Sequence, residues 1–310
     1  MLERSAYRFG DLTIACELTI PDLPRAAADD FDWMVSKESI ATCGSELEPY
    51  HTWEDPEGLP VVRFGWSAGR RVIDFGHGAR FTIDTRRRII GCASFGGVDD
   101  ATLAQLLAHE VLPLVAGLDR LVLHASAVSF GGGALVFAGA SGSGKSTMAV
   151  RMAQRGCLLL SDDVVLIDGS NRQPSVLPMF TPIRLWPDAI HELVASHVTR
   201  ADAEASAKRV LSVREAGIQH ASDTVPLRAL FLLGAASATN QLTVIEPRDA
   251  VAALLQQSFV LATDDADHAT RMLEEVTRMV RAVRVWRVPT PDNFDDLDAI
   301  LDTVLATTTT

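Results

Sequence analysis

The sequence predicts an α/β phosphate-loop domain over residues 98–310, preceded by a small β-rich module over residues 1–97. Three observations support this division. Short β-like runs separated by turn residues fill the N-terminal part. A G-x-x-x-x-G-K-[ST] pattern at Gly139–Ser146, the Walker A motif, follows an apolar strand and opens a helical segment. Apolar residues at helical and strand spacing then continue towards the C-terminus.

Composition and charge are those of a globular protein whose main partner is not nucleic acid. The 310 residues are 47% hydrophobic and 22% charged, which is ordinary for such proteins. The formal net charge of -12 disfavours nucleic acid, because phosphate backbones are bound by basic surfaces. The run Arg86-Arg87-Arg88 is a local exception, and its simplest interpretation is a solvated strand end or turn.

The sequence shows no membrane segment and no sign of export. Its N-terminus lacks the apolar core of a secretory signal. No uncharged apolar stretch reaches the ~18–20 residues that span a bilayer. Reduced thiols are expected rather than disulfides or a zinc site, because the cysteines form no Cys-x-x-Cys pair: Cys16, Cys43, Cys92 and Cys157. We therefore expect a cytoplasmic protein with no membrane partner.

The N-terminal module is expected to consist of short strands. Its β-like runs are residues 7–10, 12–18, 61–64, 71–75, 81–84 and 88–90. Residues 25–58 are acidic and rich in turn formers, so they predict a loop or weakly ordered structure.

The remaining chain is expected to alternate helices and strands. Asp99-Asp100 predicts a helix start, because acidic side chains are favoured beside the exposed amides there. Strands over 120–128 and 134–138 are joined by a Gly131–Gly133 turn. The later elements are predicted as helix 146–155, strand 157–160, strand 227–233, strand 242–245, helix 249–257, helix 266–283, strand 283–288 and helix 294–306.

Each residue type in the phosphate loop suits a nucleotide. Glycines let backbone N–H groups curl around phosphate oxygens, and the following helix contributes its positive end. Lys145 is expected to reach the β- and γ-phosphates, and the Ser146 hydroxyl to ligate Mg²⁺. ATP and Mg²⁺ are the predicted cofactors, and the predicted binding residues are Gly139, Ser141, Gly142, Ser143, Gly144, Lys145, Ser146 and Thr147.

An acidic doublet, Asp162-Asp163, ends an apolar strand one helix after the loop. One carboxylate could accept the proton of an attacking hydroxyl while the other holds Mg²⁺, and Asp163 joins Ser146 as a predicted metal ligand. The alternative is an ordinary turn or cap pair, since Asp commonly ends strands. The short spacing and the lack of a Leu-Ser-Gly-Gly signature disfavour an ATP-binding-cassette transporter ATPase.

The catalytic core resembles that of HPr serine kinase/phosphorylase. That family shows a His-containing strand, a phosphate loop, an R-G helix end and an Asp-Asp doublet in the same order. The matching segments here are Leu123–Val128, Phe137–Ser146 and Gln154–Asp163. The sequence is most similar to the lasso peptide kinase branch, through residues 9–24, Pro182–Pro187, Lys208-Arg209 and Val225–Arg228.

This resemblance implies an HPr kinase/PEP carboxykinase-like fold and ATP- and Mg²⁺-dependent phosphorylation of a serine hydroxyl. The implied acceptor is a peptide or small protein, such as a ribosomally made lasso-type precursor. The family's catalytic base maps to Asp162 or Asp163 without a choice between them, and its active-site histidine maps to His124, which could equally be a satisfied core residue. HPr enzymes assemble as hexamers, so a homo-oligomer is open for this chain.

The chain departs from that family after the doublet. HPr enzymes carry a Glu-Val-Arg-Gly-Leu-Gly-type segment associated with dephosphorylation, whereas residues 175–180 here are Ser-Val-Leu-Pro-Met-Phe. The resemblance therefore does not extend to phosphorolysis or to HPr as the acceptor.

Several weaker candidates flank this core. Lys208 and Arg209 lie in a polar stretch, 199–212, which is either a cationic loop that closes over phosphates or a solvated loop. Arg184 could contact substrate or pair with a surface carboxylate. Trp186 could stack on a peptide or a base, but core packing is the expected role.

Three functions remain open at this point. The leading hypothesis is a peptide or protein serine kinase. The same loop also suits a small-molecule kinase with a different acceptor, or a nucleotide-binding regulatory protein that transfers nothing.

Overall fold

The chain folds into two compact units. The computed structural model describes residues 4–27, 29–43, 46–55, 57–76, 78–180, 182–194, 208–235, 241–291 and 293–308. One unit comprises Met1–Asp119 with Val260–Ala269, and the other Arg120–Phe259 with Thr270–Thr310. This division differs from the predicted boundary at residues 97/98. Contacts between residues distant in sequence place residues 98–119 and the later segment Val260–Ala269 in the first unit. Within the described residues, no helix is long and apolar enough to cross a membrane.

The first unit is built on an eight-stranded sheet with strand order β1-β2-β3-β8-β7-β6-β5-β4. Its strands are β1 (Ser5–Phe9), β2 (Leu12–Cys16), β3 (Trp33–Lys37), β4 (Glu48–Glu54), β5 (Pro60–Ser67), β6 (Arg70–Phe75), β7 (Ala79–Asp84) and β8 (Ile89–Ser94). Its helical part is α1 (Asp100–Leu106), a π-helical turn (Leu107–Val111) and α2 (Leu112–Ala116). Asp99 caps α1 by accepting a hydrogen bond from the Thr102 amide, as the acidic start predicted.

The prediction of a loop over residues 25–58 was wrong for two segments. Strand β3 pairs in parallel with both β2 and β8, and its Trp33 is only 1% exposed. Strand β4 pairs with β5 at the sheet edge. Pairing with strands distant in sequence stabilises both segments despite their turn-rich composition, because β propensity depends strongly on tertiary context.

The second unit contains a nine-stranded sheet and a separate two-stranded ribbon. Its strands are β9 (Leu121–Leu123), β10 (Ala125–Phe130), β11 (Gly133–Gly139), β12 (Leu158–Ser161), β13 (Val165–Asp168), β14 (Ser175–Leu177), β15 (Ile183–Leu185), β16 (Arg209–Leu211), β17 (Val225–Ala235), β18 (Thr243–Val244) and β19 (Arg284–Pro289). Its helices are α3 (Lys145–Gln154), α4 (Pro187–Leu193), α5 (Pro247–Gln256), α6 (Ala266–Ala282) from Thr270 onward, and α7 (Phe294–Thr308). The predicted elements after residue 120 are confirmed within a few residues, except the single strand predicted over 120–128, which was wrong: β9 and β10 are separate strands that break at His124 and pair with different neighbours.

Strand β11 lies at the centre of this sheet, between antiparallel β10 and parallel β17. Alternate side chains enter two apolar layers. Phe137 stacks on Phe231 with ring centroids 5.4 Å apart in the layer that includes residues of α3 and α7. Val136 and Leu230 lie in the other layer, with residues of α5 and α6. Burial on both faces fixes the end of β11, and therefore fixes the start of the phosphate loop.

Candidate active site

The phosphate loop connects β11 to α3 through left-handed backbone. The φ angles of Gly139, Gly142 and Gly144 are 152°, 80° and 92°. Only glycine adopts such angles without a steric cost, which explains the residue type at these positions. Gly144 is the N-cap of the ten-residue helix α3. The loop therefore presents backbone amides and the positive end of a helix, which together favour bound anions.

Gly139→Ala is expected to lower the free energy of unfolding by roughly 1–3 kcal/mol. A Cβ at Gly139 would lie 2.6 Å from the Leu233 carbonyl oxygen and 2.9 Å from Ser143 Oγ, and the first of these atoms belongs to a core strand that cannot easily shift. Denaturant unfolding measures the loss. In the matched variant Gly132→Ala, whose Cβ would meet no atom within 4 Å, the cost is limited to backbone strain. Equal losses in the two variants would contradict the steric explanation.

Lys145 is buried against its own loop. Its side chain is 5% exposed, and Nζ donates to the carbonyl oxygens of Gly139 at 2.8 Å and Ala140 at 3.0 Å. The pKa of Lys145 is lowered to about 8, chiefly by burial; the Asp163 charge opposes this shift and the Lys208 charge adds to it. Nucleotide phosphates would add negative charge beside this ammonium group and so favour its protonated form.

Nucleotide affinity is expected to fall as the pH rises through about 8. Below that pH Lys145 is already charged in the free protein, so binding takes up no proton. Above it, binding must first recharge the amine, and affinity falls by up to about tenfold per pH unit until the pKa of the bound state is reached. Calorimetric titration with ATP on either side of this pH tests the slope. Lys145→Arg, which stays charged throughout, should bind with a flat profile, and an unchanged slope in this variant would exclude Lys145 as the cause.

Asp162 is the buried member of the acidic doublet, placed at the end of β12. It is 1% exposed, and its carboxylate accepts hydrogen bonds from Ser126 Oγ at 2.6 Å and from the Arg184 amide at 3.0 Å. Burial, together with the charge of Asp163, raises the pKa of this carboxyl, while the hydrogen bonds, including one with Ser146, oppose the shift. Asp162 thus connects three elements of the site: β10, β15 and the first turn of α3.

Asp163 is held differently. Its backbone is left-handed, with φ of 67°, and its carboxylate side chain is 19% exposed. Arg184 Nη1 lies 4.0 Å from Asp163 Oδ2. A left-handed backbone at a residue other than glycine costs of order 1–3 kcal/mol, and such strain concentrates at functional sites. The geometry thus leaves the Asp163 carboxylate within reach of an incoming group, whereas Asp162 is enclosed.

His124 lies between β9 and β10 and supports the doublet through the backbone. Its Nδ1 is 3.2 Å from the Asp163 carbonyl oxygen, which accepts when that nitrogen carries the proton. Burial, followed by the charge of Lys145, lowers the pKa of His124, so the neutral ring is favoured. The predicted histidine is therefore next to the doublet, where it contacts the main chain of Asp163 and restrains its unusual conformation.

A pocket joins the phosphate loop to the β15–β16 ribbon. Its lining residues are Gly142, Gly144, Lys145, Ser146, Thr147, Arg184, Leu185, Trp186 and Lys208. The prediction that Trp186 packs in the core was wrong, because this side chain is 41% exposed beside the pocket. Lys208 lines the pocket, whereas Arg209 pairs with Leu185 across the ribbon and is not part of the lining. Residues 199–207 of the predicted cationic stretch lie outside the described residues.

The groups around the loop fit a nucleoside triphosphate with Mg²⁺. Ser143 Oγ and Arg184 Nε are buried without a hydrogen-bond partner among the described residues. Such groups normally have a partner, and phosphate oxygens would provide it. Lys145 and Lys208 add positive charge to the same pocket. The Ser146 hydroxyl and the carboxylates of the doublet offer the oxygen donors that Mg²⁺ prefers, without a choice between Asp162 and Asp163.

Sequence reasoning missed Ser126 and gave Arg184 too little weight. Ser126 is fully buried, and its hydroxyl donates to Asp162. Its position in the predicted strand 120–128, close to His124, was the available signal. No sequence signal links the Arg184 amide to Asp162, because that contact depends on how the ribbon folds back onto β12.

Comparison with known proteins does not identify a family for this chain. No protein-family model matches the chain, and a search of curated proteins found no match. One similar solved structure is the HPr(Ser) kinase/phosphatase from Coxiella burnetii, at 11% sequence identity and a TM-score of 0.33, covering 60% of this chain and 95% of that chain. A TM-score this low supports no argument about fold or activity. The lasso peptide kinase resemblance therefore stays a prediction from sequence.

Proposed function

We propose that this protein is an ATP- and Mg²⁺-dependent kinase that phosphorylates a serine hydroxyl of a peptide or small protein. The supporting observation is the pairing of a phosphate loop with two dissimilar carboxylates. Ser146 on the loop helix hydrogen-bonds Asp162, which is enclosed, and the neighbouring Asp163 is within reach of an acceptor. This arrangement brings a cationic phosphate site and a proton acceptor together, as phosphoryl transfer requires.

The residues divide the chemistry between them. Bound ATP would supply the γ-phosphoryl group, and Mg²⁺ would offset its charge. The loop amides and Lys145 hold the phosphate chain and stabilise charge that develops on its oxygens. Asp163 accepts the proton of the acceptor serine hydroxyl. At the same time the serine oxygen bonds to the γ-phosphorus, and the bond from that phosphorus to the leaving ADP oxygen breaks. Asp162 does not meet the acceptor and instead orients the Ser146 hydroxyl and the Arg184 backbone.

The acceptor class rests on the sequence resemblance. A ribosomally made, lasso-type precursor peptide is proposed as substrate, in the cytoplasm. The formal net charge of -12 favours a peptide over a nucleic acid.

Transfer of label from γ-labelled ATP tests the proposal. The protein is incubated with Mg²⁺ and with precursor peptides encoded beside its own gene, and the label is located by mass spectrometry. Label on a peptide serine, lost in Asp163→Asn, is the expected result. Label confined to a metabolite would indicate a small-molecule kinase. Tight ATP binding without transfer to any acceptor would indicate a nucleotide-binding regulatory protein, and either result overturns the proposal.

A further inference from the structure

The β15–β16 ribbon carries a solvent-facing ledge, formed by Arg184, Trp186, Val210 and Lys208, that begins beside the acidic doublet. The strands pair as Ile183 with Leu211, Arg184 with Val210 and Leu185 with Arg209. Ile183, Leu185 and Leu211 are buried, at 0%, 1% and 8% exposure, so they form the inner face of the ribbon. Because side chains alternate along a strand, Arg184 and Val210 lie on the outer face. Trp186 follows Arg184 by two residues and so lies on the same face. Continuing the register of the ribbon places Trp186 opposite Lys208.

The ledge contains two apolar side chains that are unusually exposed for their residue types. Val210 is 54% exposed and Trp186 is 41% exposed, although nearby Leu185 is buried. A large exposed aromatic side chain beside a polar site is typical of a binding surface, because a partner that buries this side chain stabilises the complex. Trp186 also lines the same pocket as Lys145 and Ser146, so the ledge is continuous with the phosphate site.

The ledge reaches the point where an acceptor must enter. Arg184 is tied to Asp162 through its amide at 3.0 Å, and its guanidinium lies 4.0 Å from the Asp163 carboxylate. Trp186 follows two residues later, about 7 Å along an extended strand. An extended peptide whose serine reaches Asp163 would therefore bring a side chain two positions away over Trp186 and Val210. Lys208, opposite Trp186, adds positive charge at that end.

We infer that the outer face of the β15–β16 ribbon, formed by Arg184, Trp186, Val210 and Lys208, binds the acceptor as an extended peptide that has a bulky apolar side chain two residues from its serine and an acidic residue two positions beyond that side chain, on the same face. This inference rests on the proposed kinase function and specifies its substrate class. The apolar side chain packs on Trp186 and Val210. The acidic side chain complements the charge of Lys208.

Peptide binding tests this assignment separately from phosphoryl transfer. The probes are fluorescent peptides in which alanine replaces the serine. One carries Leu and Glu at the two positions, a second carries Gly and Glu, and a third carries Leu and Lys. Binding is measured by fluorescence anisotropy on protein saturated with a non-hydrolysable ATP analogue. The Leu/Glu peptide is expected to bind roughly tenfold or more tightly than either other peptide, and Trp186→Ala should remove the preference for Leu.

Trp53→Ala is the matched control, since Trp53 is a similarly exposed tryptophan, at 51%, in the N-terminal sheet. This variant should leave peptide binding unchanged. Equal binding of the three peptides, or no binding of any, would overturn the assignment. A Trp186→Ala variant that loses affinity for the ATP analogue while the peptide preference persists would overturn it as well, since the tryptophan would then serve the nucleotide base. Selective peptide binding without transfer to the serine form would preserve the inference and reject only the proposed kinase activity.

Discussion

Asp163→Asn is expected to reduce phosphoryl transfer by roughly 10²–10⁴-fold while the protein stays folded and still binds ATP. The carboxylate of Asp163 is the reachable member of the doublet, and its amide replacement cannot take a proton from the acceptor hydroxyl. The backbone of Asp163 is left-handed, and asparagine adopts that conformation at least as readily as aspartate does. Transfer is followed with γ-labelled ATP, and ATP binding is followed by calorimetry.

Asp162→Asn is the matched comparison, because it makes the same chemical change at the neighbouring residue. Asp162 accepts hydrogen bonds from Ser126 and the Arg184 amide, so an inserted NH₂ group would oppose a donor in a buried site. We expect this variant to lose roughly 1–3 kcal/mol of unfolding free energy, a loss that Asp163→Asn should not show. Full transfer activity in Asp163→Asn would remove Asp163 as the base.

Lys145→Met is expected to lower kcat/KM for ATP by roughly 10²–10³-fold. The ammonium group is the buried cation of the loop, and its loss leaves the transferring phosphoryl charge without that partner. The same change is expected to leave the free energy of unfolding unchanged or raised, because burial already lowers the pKa of Lys145 to about 8 and so disfavours its charge in the folded protein. Steady-state kinetics and denaturant unfolding, measured on the same preparation, test both expectations.

Lys37→Met provides the control for this second prediction. Lys37 is exposed at 44% of its side chain and pairs with Asp100 in the first unit. Its replacement should change neither kcat/KM nor ATP affinity. A Lys145→Met variant that keeps wild-type ATP kinetics would mean that the loop amides alone hold the phosphates.

Local patterns predicted the parts of the site that depend on neighbouring residues. The phosphate loop needs an apolar strand, glycines at positive φ and a helix start, and all of these lie within a short stretch of sequence. The chain length between Lys145 and Asp162 allows only one helix and one strand, so their proximity was also predictable. The expectation that Trp186 is buried was wrong because hydrophobicity does not distinguish a core aromatic from one that lines a pocket.

Sequence alone determined the phosphate loop, the acidic doublet after it and the β-rich stretch around His124, because each is set by residue type at short spacing. Only the tertiary structure decided which carboxylate is reachable. Asp162 and Asp163 are adjacent and chemically identical, yet strand pairing buries one beneath Ser126 and the ribbon backbone and turns the other outward at φ of 67°. Their difference comes from groups 21 to 36 residues away in the chain, which no local pattern contains.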